Sequence, residues 1–401
     1  TVALAPFLVR QTALGLSFEN VHRHPTVFPG FSDFHFKRDR LLLPMVRGWI
    51  EAEVFHGSAV MLPDGELFGR ILDPDGLFRD ISTISVAGDD IDFWYPNSGT
   101  DTLPSFTASH AQAFDEGTIQ RMQKMTFGVI GASGTGSPTI EQLLRLGAGE
   151  IIAIDDDVAE DRNINRILNS SLQDAEAQRA KVDILADAAA RTGLPTKFTA
   201  VAKSLWDPEV IHLIAQCDVV FGCMDTVDGR YLLNMLATHY LIPYFDVGVR
   251  LDAVRNGPDK GQITEACGTV NYVQPGRSSL ISRGLFSMSD VSAASLRRLD
   301  PGAHDRQVQD GYIRGIAGHR PAVISVNLLG SSLAVNEFLA RLHPYREEPN
   351  SAYAALTFSL ASAEMFPEPE TGVCEVFLPF VGHGDTEPLL GQLEFSKTAK
   401  R

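Results

Sequence analysis

The stretch FGVIGASGTGSPTIEQLLRLG at 127–147 places a glycine-rich turn between an apolar strand and a helix. Such a turn brings backbone N–H groups and the positive end of a helix dipole close to a bound phosphate. Dinucleotide-binding turns have glycine at their first, third and sixth positions. Here those positions hold Gly131, Ser133 and Gly136, and the middle glycine is displaced to Gly134. The stretch predicts a nucleotide site, whose ligand is either a dinucleotide such as NAD or ATP.

A second set of polar residues follows the next predicted strand, in the run IAIDDDVAEDRNINR. Asp155 lies about 20 residues past Gly136, where a carboxylate would accept hydrogen bonds from ribose hydroxyls. An NAD enzyme needs nothing more here, but the sequence adds polar side chains that suit a triphosphate: Asp157, Asn163, Asn165, Arg166 and Lys181. Cations beside a phosphate-binding turn neutralise the charge that grows on a departing pyrophosphate. This set favours ATP, with solvated loop charges as the alternative.

Asp225 lies at the C-terminal end of a further predicted strand, in the run DVVFGCMDTVDGRYLLN. In an open α/β sheet, ligands bind along the edge formed by the carboxyl ends of the strands. A carboxylate at that edge is well placed to hold Mg²⁺ against phosphates. We therefore predict a magnesium ligand at Asp225.

The elements that must position these residues alternate between apolar strands and helical patterns from 126 to about 250. That alternation implies βαβ units and a mostly parallel, Rossmann-like sheet. Within it we expect one long polar helix at 173–192. Strands and a loop are expected at 262–290, and a long apolar helix at 323–342.

The first 95 residues have a different pattern. Strand-like runs at 52–62 and 81–88 surround one predicted helix at 36–51, which indicates a smaller α+β domain. Residues 95–105 are rich in turn formers and predict a linker. The last 55 or so residues are irregular, with one possible strand at AALTFSL.

The composition excludes some classes of protein. The chain has 34 basic and 50 acidic residues, a net charge of −16, and no basic run, so we expect no nucleic-acid partner. No stretch reaches the roughly 20 apolar residues of a membrane span. The four cysteines stand far apart with no CxxC pair, which indicates a reducing, cytoplasmic location.

Five motifs occur in one order: G-x-x-G-x-G-S, I-D-D-D-V, N-I-N-R, A-K-V and C-M-D-T-V-D-G-R. This series resembles the ThiF/MoeB/HesA family, the adenylyltransferase domains of ubiquitin-activating enzymes and of activators of sulfur-carrier proteins. The resemblance covers roughly 118–345 and implies a ThiF-type adenylation domain at 118–346. Around it we predict a partial domain at 1–95, a linker at 96–117 and a C-terminal extension at 347–401.

The resemblance also implies roles for residues of this chain. Asp155 would bind the ribose of ATP, and Asp225 would hold Mg²⁺. Asn163, Arg166 and Lys181 would contact the phosphates. The C-terminal carboxylate of a ubiquitin-like protein would attack the α-phosphate, giving an acyl adenylate and pyrophosphate. A conjugating enzyme and a second copy of the chain are the other implied partners.

Three features depart from the family pattern. The arginine that precedes the domain and reaches the partner's phosphates has no match, because SFTASHAQAFDEGTIQ offers Thr107 and His110 instead. Zinc-binding cysteines should follow a P-G pair, but QPGRSSLISRG has Ser279 and Ser282 there, so we predict no structural zinc in this domain. The loop around 300–320, where a catalytic cysteine often lies, contains none.

These departures leave the thioester step open. Cys267 in EACGTVNYVQPG is the first candidate nucleophile, and Cys374 in TGVCEV is the second. Cys223 and Cys217 are expected to pack in the interior. Two alternatives remain: an oxyester on a serine among 278–282, and a domain that only adenylates and passes the acyl group to another protein's thiol.

A second metal site is suggested by SFENVHRHPTVFPGFSDFHF. His22 and His24 alternate as on one face of a strand, and Ser32 and His35 follow at a spacing similar to the JAB/JAMM metalloprotease motif H-x-H-x7-S-x2-D. His35 stands where the Asp ligand belongs, and Glu19 is too close to serve as the catalytic glutamate. The resemblance implies a JAB-like fold with a zinc isopeptidase site, or a degenerate binding or dimerisation module.

Three hypotheses follow. The leading one is an activating enzyme for a ubiquitin-like protein in a bacterial-type conjugation pathway, joined to a JAB-like domain. The second is a scaffold that binds nucleotide or modifier without turnover, favoured by the missing arginine and the altered JAB ligands. The third is an NAD(P)-dependent oxidoreductase, which lacks the middle glycine and a hydride-transfer site.

Overall fold

The structure, a computed structural model, describes residues 19–23, 31–49, 55–63, 65–96, 102–255, 261–310 and 321–396. The chain forms two compact units: residues 1–86 with 91–101, and residues 87–90 with 102–401. Within the described ranges, no helix combines the length and the apolar character needed to cross a membrane.

The smaller unit is an α+β fold, as the sequence predicted. Its described elements are strands β1 (Glu19–Arg23), β2 (His56–Met61), β3 (Leu67–Leu72), β4 (Phe78–Asp80), β5 (Ile84–Ala87) and β6 (Ile91–Trp94), and helix α1 (Asp33–Trp49). Strands β1 to β4 form one sheet in chain order, with β1 and β2 parallel. A buried ion pair between Asp39 and Arg70, at 2.8 Å, ties α1 to β3.

The larger unit is built on an eight-stranded sheet. Its strands are β7 (Thr126–Ile130), β8 (Glu150–Ile154), β9 (Lys197–Val201), β10 (Val219–Gly222), β11 (Tyr244–Arg255), β12 (Gly261–Val273), β13 (Ala355–Ser359) and β14 (Glu364–Glu368). The sheet order is β14-β13-β12-β11-β10-β7-β8-β9. The five strands from β11 to β9 are parallel, and β12, β13 and β14 add antiparallel pairs.

Nine described helices belong to this unit: α2 (Ala108–Met122), α3 (Gly136–Leu146), α4 (Leu172–Glu176), α5 (Lys181–Thr192), α6 (Pro208–Ile214), α7 (Val227–Tyr240), α8 (Met288–Leu299), α9 (Pro301–Gln309) and α10 (Ile324–Leu342). Helix α10 covers the sheet where the rings of Phe127, Phe221 and Phe245 meet Phe338. The predicted α/β class with a Rossmann-like, mostly parallel sheet is confirmed.

The order of the strands fixes where a ligand belongs. The chain moves from β7 outward to β8 and β9, and then returns to β10 on the other side of β7. The crevice between β7 and β10 is therefore the topological switch point of the sheet, where such folds bind ligands. Ile130, Ile154 and Gly222 end their strands in register, so the residues that follow them meet at one edge.

Some predicted elements were wrong. The single helix expected at 173–192 is two helices, α4 and α5, because Gln178 adopts a φ of +47° between them. Helices α8 and α9 occupy a region where no helix was predicted. The Ser287–Asp290 capping box that starts α8 was visible in the sequence as S-x-x-D.

Strands β13 and β14 lie within the predicted extension at 347–401, but they continue the main sheet by pairing with β12. Helix α2 likewise begins inside the predicted linker at 96–117.

Candidate functional site

The glycine-rich turn is packed tightly between two strand ends. Gly131 has a φ of +94°, and its N–H donates to the Ile154 carbonyl at 2.8 Å. A Cβ atom on Gly131 would lie 2.6 Å from the carbonyl oxygen of Cys223, and one on Gly136 would lie 1.7 Å from the carbonyl oxygen of Gly131. Both positions therefore require glycine, because the turn must approach the β10 end and the start of α3 closely.

Asp155 and Lys181 form a buried pair at the end of β8. Lys181 Nζ lies 3.4 Å from Asp155 Oδ1 and 2.6 Å from Asp157 Oδ2. The side chains of Asp155 and Lys181 are 9% and 5% exposed, whereas Asp157 is 72% exposed. Asp155 also accepts from the N–H groups of Ala132 at 2.7 Å and Asp157 at 2.9 Å. Asp155 thus links the glycine-rich turn to the lysine.

Burial raises the pKa of Asp155, and Lys181 and the two backbone donors oppose that shift. A carboxylate accepts about four hydrogen bonds, so Asp155 keeps acceptor capacity beyond these partners. This capacity is compatible with hydrogen bonds from ribose hydroxyls to Asp155, and the role at a ribose stays a prediction.

Arg166 is held by the loop that contains it. Its guanidinium donates to Asn163 Oδ1 at 2.8 Å, to the Arg162 carbonyl at 2.8 Å and to Asn165 Oδ1 at 3.1 Å. Asn163 is buried, and Asn165 is exposed. Asn163, predicted as a phosphate ligand, and Asn165, predicted only as nucleotide-binding, thus both orient the arginine in this structure.

Asp225 follows β10 and is exposed at the switch-point edge. Burial and the neighbouring Arg162 lower the pKa of Arg166, while Asp225 opposes that shift. The Asp225 carboxylate is therefore within electrostatic range of Arg166 across the edge. Asp155, Asp156 and Asp157 form the one cluster of potential metal ligands among the described residues, with ligand atoms within 4.8 Å of one another. Asp156 had no role in the sequence analysis, although IDDDV contains it.

A buried polar network beside this edge was missed by sequence reasoning. Arg230, in the first turns of α7, forms a two-pronged ion pair with Asp246 on β11. Tyr244 donates to Asp246 at 3.0 Å, and Asn271 on β12 donates to it at 3.2 Å. Arg230 stands in the quoted D-T-V-D-G-R motif, but Asp246 is close only in space. The network fixes the start of α7, and hence the loop that carries Asp225.

The first candidate nucleophile, Cys267, lies in β12 opposite Arg250 and Ser359. Its thiol donates to Glu265 Oε1 at 3.3 Å. Burial and this carboxylate raise the pKa of Cys267. A negatively charged neighbour disfavours the thiolate form, which a nucleophilic cysteine requires.

The other cysteines are less accessible. Cys374 is 2% exposed, and its sulfur accepts a hydrogen bond from Ser279 Oγ at 3.0 Å. Burial raises the pKa of Cys223 to about 12 and that of Cys217 still higher.

The structure describes the serines that stand in place of zinc-binding cysteines and the two residues that stand in place of the family's arginine. Ser279 and Ser282 hydrogen-bond to each other's backbone N–H groups, so the serine pair forms a closed turn. Thr107 is buried and donates to the Pro104 carbonyl at 2.8 Å, which gives it a local structural role. His110 lies in α2 and is half-buried.

The N-terminal histidines are only partly described. His24 lies outside the described residues, and of His22 the structure describes the backbone of β1 alone. His35 lies in the first turn of α1, where its Nδ1 is 2.9 Å from Ser32 Oγ at the helix start. The zinc site at His22, His24 and His35 stays a prediction, as does the JAB-like identity of this unit.

The doubly wound sheet has a glycine-rich turn and paired charges at its switch point, which is where α/β proteins of this architecture bind ligands. Residues 107–373 match the ThiF family, and the chain belongs to that family.

Relatives of known name share part of this region. The chain is 33% identical over 117 residues to the SAMP-activating enzyme E1 of Haloferax volcanii, which covers 29% of this chain and 42% of the relative. It is 27% identical over 173 residues to ubiquitin-like modifier-activating enzyme 5 of Bombyx mori, which covers 40% of each. The chain therefore spans about two fifths of the length of each of these two relatives.

The fold also resembles a solved structure, that of E. coli MccB with MccA-N7isoASN. The TM-score is 0.52 at 14% identity, and the similarity covers 70% of this chain and 76% of the other. At this identity the likeness concerns the fold.

Proposed function

We propose that the chain uses ATP to adenylate the C-terminal carboxylate of a ubiquitin-like protein. The observation that carries this proposal is the convergence at one sheet edge of the glycine-rich turn, the Asp155–Lys181 pair, Arg166 and Asp225, in a ThiF-family chain. The names of the relatives, activating enzymes for SAMP and for ubiquitin-like modifiers, support the choice of substrate.

Each residue has a proposed role. Gly131, Gly134 and Gly136 hold the phosphate-binding turn, and Asp155 accepts from the ribose hydroxyls. Arg166 and Lys181 neutralise phosphate charge, with Asn163, Asn165 and Asp157 orienting these two cations. A carboxylate oxygen of the substrate attacks the α-phosphorus, the bond from that phosphorus to the α–β bridging oxygen breaks, and pyrophosphate leaves with the bonding electrons. The protein's contribution is positioning and charge neutralisation.

Magnesium fits the donor set at this edge. Exposed carboxylate oxygens are the ligands it prefers, and Asp225 is exposed beside Arg166. We assign the ion to Asp225, where it would supply positive charge to the phosphates. Asp157 is already paired with Lys181, which makes it a weaker choice.

The acceptor of the activated acyl group is proposed to lie on another protein, such as a conjugating enzyme. The raised pKa of Cys267 and the burial of Cys374 support this over a thioester within the chain. A thioester on Cys267 is the alternative, and non-reducing gels of wild type and of Cys267→Ala separate the two.

Further parts of the proposal rest on the sequence. The adenylation domain at 118–346 acts as a homodimer in the cytoplasm. The unit at 1–95 is a JAB-like module with zinc held by His22, His24 and His35. Metal analysis of the purified protein tests the last point: zinc that is lost in His22→Ala supports it, and a protein without zinc contradicts it.

The test of adenylation is ATP–pyrophosphate exchange with a ubiquitin-fold protein that has a free C-terminal carboxylate. The same protein with an amidated C-terminus is the matched control for the acceptor. Asp225→Asn should abolish exchange, whereas Asp252→Asn, which changes a partly exposed carboxylate paired with Arg250, should not. ATP binding without exchange would favour the scaffold, and binding of NAD(P) instead of ATP would favour the oxidoreductase.

A further inference from the structure

The N-terminus of α10 lies beside the glycine-rich turn, although it is almost 200 residues away in sequence. Ser331 on α10 lies 2.8 Å from Thr139 Oγ1 and accepts from Gln142 Nε2 at 2.9 Å, both on α3. These contacts fix the two helices so that both begin at the nucleotide edge. Val323 makes no side-chain cap, and no acidic residue occurs in the first turn of α10. No acidic side chain of this first turn therefore offsets the positive end of the helix dipole.

Asn327 is the buried polar side chain of this first turn, whose other polar residue, Ser325, is exposed. It is 7% exposed, and its amide makes no hydrogen bond with any residue that the structure describes. A Cβ atom on Gly134 would lie 2.3 Å from Asn327 Nδ2 and 3.2 Å from Arg166 Cδ. The amide nitrogen thus lies against the glycine-rich turn, on the side that the Arg166 side chain also approaches.

An amide that has no protein partner at a largely buried position keeps hydrogen-bonding capacity that a ligand can use. An anionic oxygen suits this position, because the neighbouring groups are the backbone of the glycine-rich turn, the cationic side chain of Arg166 and the first turn of α10. We propose that Asn327 is a nucleotide-binding residue whose amide N–H donates to a phosphate oxygen of ATP. This inference rests on the proposed ATP site and adds a donor from a distant element.

The same contact explains the displaced glycine. Gly134, unlike Gly131, does not have a positive φ, so its backbone conformation would accept other residues. A Cβ atom there would instead meet the amide end of Asn327, which would have to move away from the turn. Gly134→Ala should therefore weaken ATP binding by displacing the amide, and it should add little further effect in an Asn327→Ala background.

The test compares ATP and adenosine binding by calorimetry for wild type, Asn327→Asp and Asn327→Ala. Asn327→Asp preserves shape but replaces a donor with a negative charge, so ATP affinity should fall about tenfold or more. Asn327→Ala should lose several-fold, and adenosine affinity should stay unchanged in both. Asn336→Asp is the matched control, since Asn336 lies on the exposed face of the same helix.

The outcomes separate this inference from the function on which it rests. An unchanged ratio of ATP to adenosine affinity in Asn327→Asp overturns the role of Asn327 while leaving adenylation intact. A wild-type protein that binds no ATP refutes the proposed function itself. If Asn327→Asp does not fold, Asn327→Ala and Gly134→Ala give the same comparison, and equal loss of ATP and adenosine binding in both would indicate a structural role only.

Discussion

Replacing Lys181 with methionine tests the central electrostatic pair of the site. Methionine keeps much of the buried volume of the side chain but removes the ammonium group. Asp155 would then remain as a buried carboxylate without its cationic partner, since both side chains are less than a tenth exposed. Breaking a buried ion pair costs about 3–5 kcal/mol of unfolding free energy.

Two features of the Asp155–Lys181 pair make the expected loss of unfolding free energy smaller than this. Asp155 keeps its two backbone donors, and the contact from Lys181 to Asp157 is screened by solvent because Asp157 is mostly exposed. We expect Lys181→Met to reduce the free energy of unfolding by about 2–3 kcal/mol. At about 2–4 °C per kcal/mol for a domain of this size, the midpoint of thermal unfolding should fall by about 5–10 °C.

The matched control is Lys197→Met, because Lys197 forms an ion pair with Glu150 at 2.9 Å while 70% exposed. That substitution should change stability by less than about 1 kcal/mol. The stability of both variants is measured by thermal unfolding, monitored by circular dichroism in the absence of nucleotide. Equal shifts for the two variants would refute the claim that burial makes the Lys181 pair different.

The pH dependence of the unfolding free energy gives a second test of the Asp155–Lys181 pair. Asp155 has a raised pKa, so it binds its proton more tightly in the folded protein than in the unfolded chain. Its contribution to stability is present at low pH and is lost as the pH rises through the folded pKa. Removing Lys181 raises that pKa further, so the variant should differ from wild type more at about pH 8 than at about pH 5. If the difference in unfolding free energy between Lys181→Met and wild type grew toward low pH, ionisation of Asp155 could not be its cause.

Three further predictions concern the turn, the buried network and the candidate nucleophile. Gly136→Ala should lower the free energy of unfolding by at least about 3 kcal/mol, because its Cβ would overlap a carbonyl oxygen, whereas Gly261→Ala, with open space around it, should have little effect in the same urea titration. Asp246→Asn should cost about 3 kcal/mol by leaving a buried arginine without its carboxylate, and Asp252→Asn less than about 1 kcal/mol, again by urea unfolding. Alkylation of Cys267 should accelerate up to a pH above about 9, because its pKa is raised, and a maximum rate at neutral pH would contradict this.

The placement of the candidate site at one sheet edge was largely predictable from the sequence, because its residues follow three strand ends within short, distinctive runs. Once the strands are parallel, the turn at Gly131, the carboxylate of Asp155 and that of Asp225 must come to the same edge. Lys181 was found as part of a family motif, and the structure supplies the reason for its position, a buried contact with Asp155.

The residues that sequence reasoning missed are brought together by packing between elements. Asn327 reaches Gly134 because α10, far away in the chain, packs beside α3, and Asp246 reaches Arg230 because β11 packs against the preceding helix α7. No spacing rule relates such positions. The pairing of Ser279 with Cys374 has the same origin, since these residues are joined by packing across the larger unit.

The most direct test of adenylation is which bond of ATP breaks. The purified chain is incubated with radiolabelled ATP, magnesium, hydroxylamine and a ubiquitin-fold protein with a free C-terminal carboxylate. Attack at the α-phosphorus predicts AMP and pyrophosphate in equal amounts, with the modifier recovered as its C-terminal hydroxamate. Formation of ADP and inorganic phosphate, or no consumption of ATP with any such protein, would contradict the account.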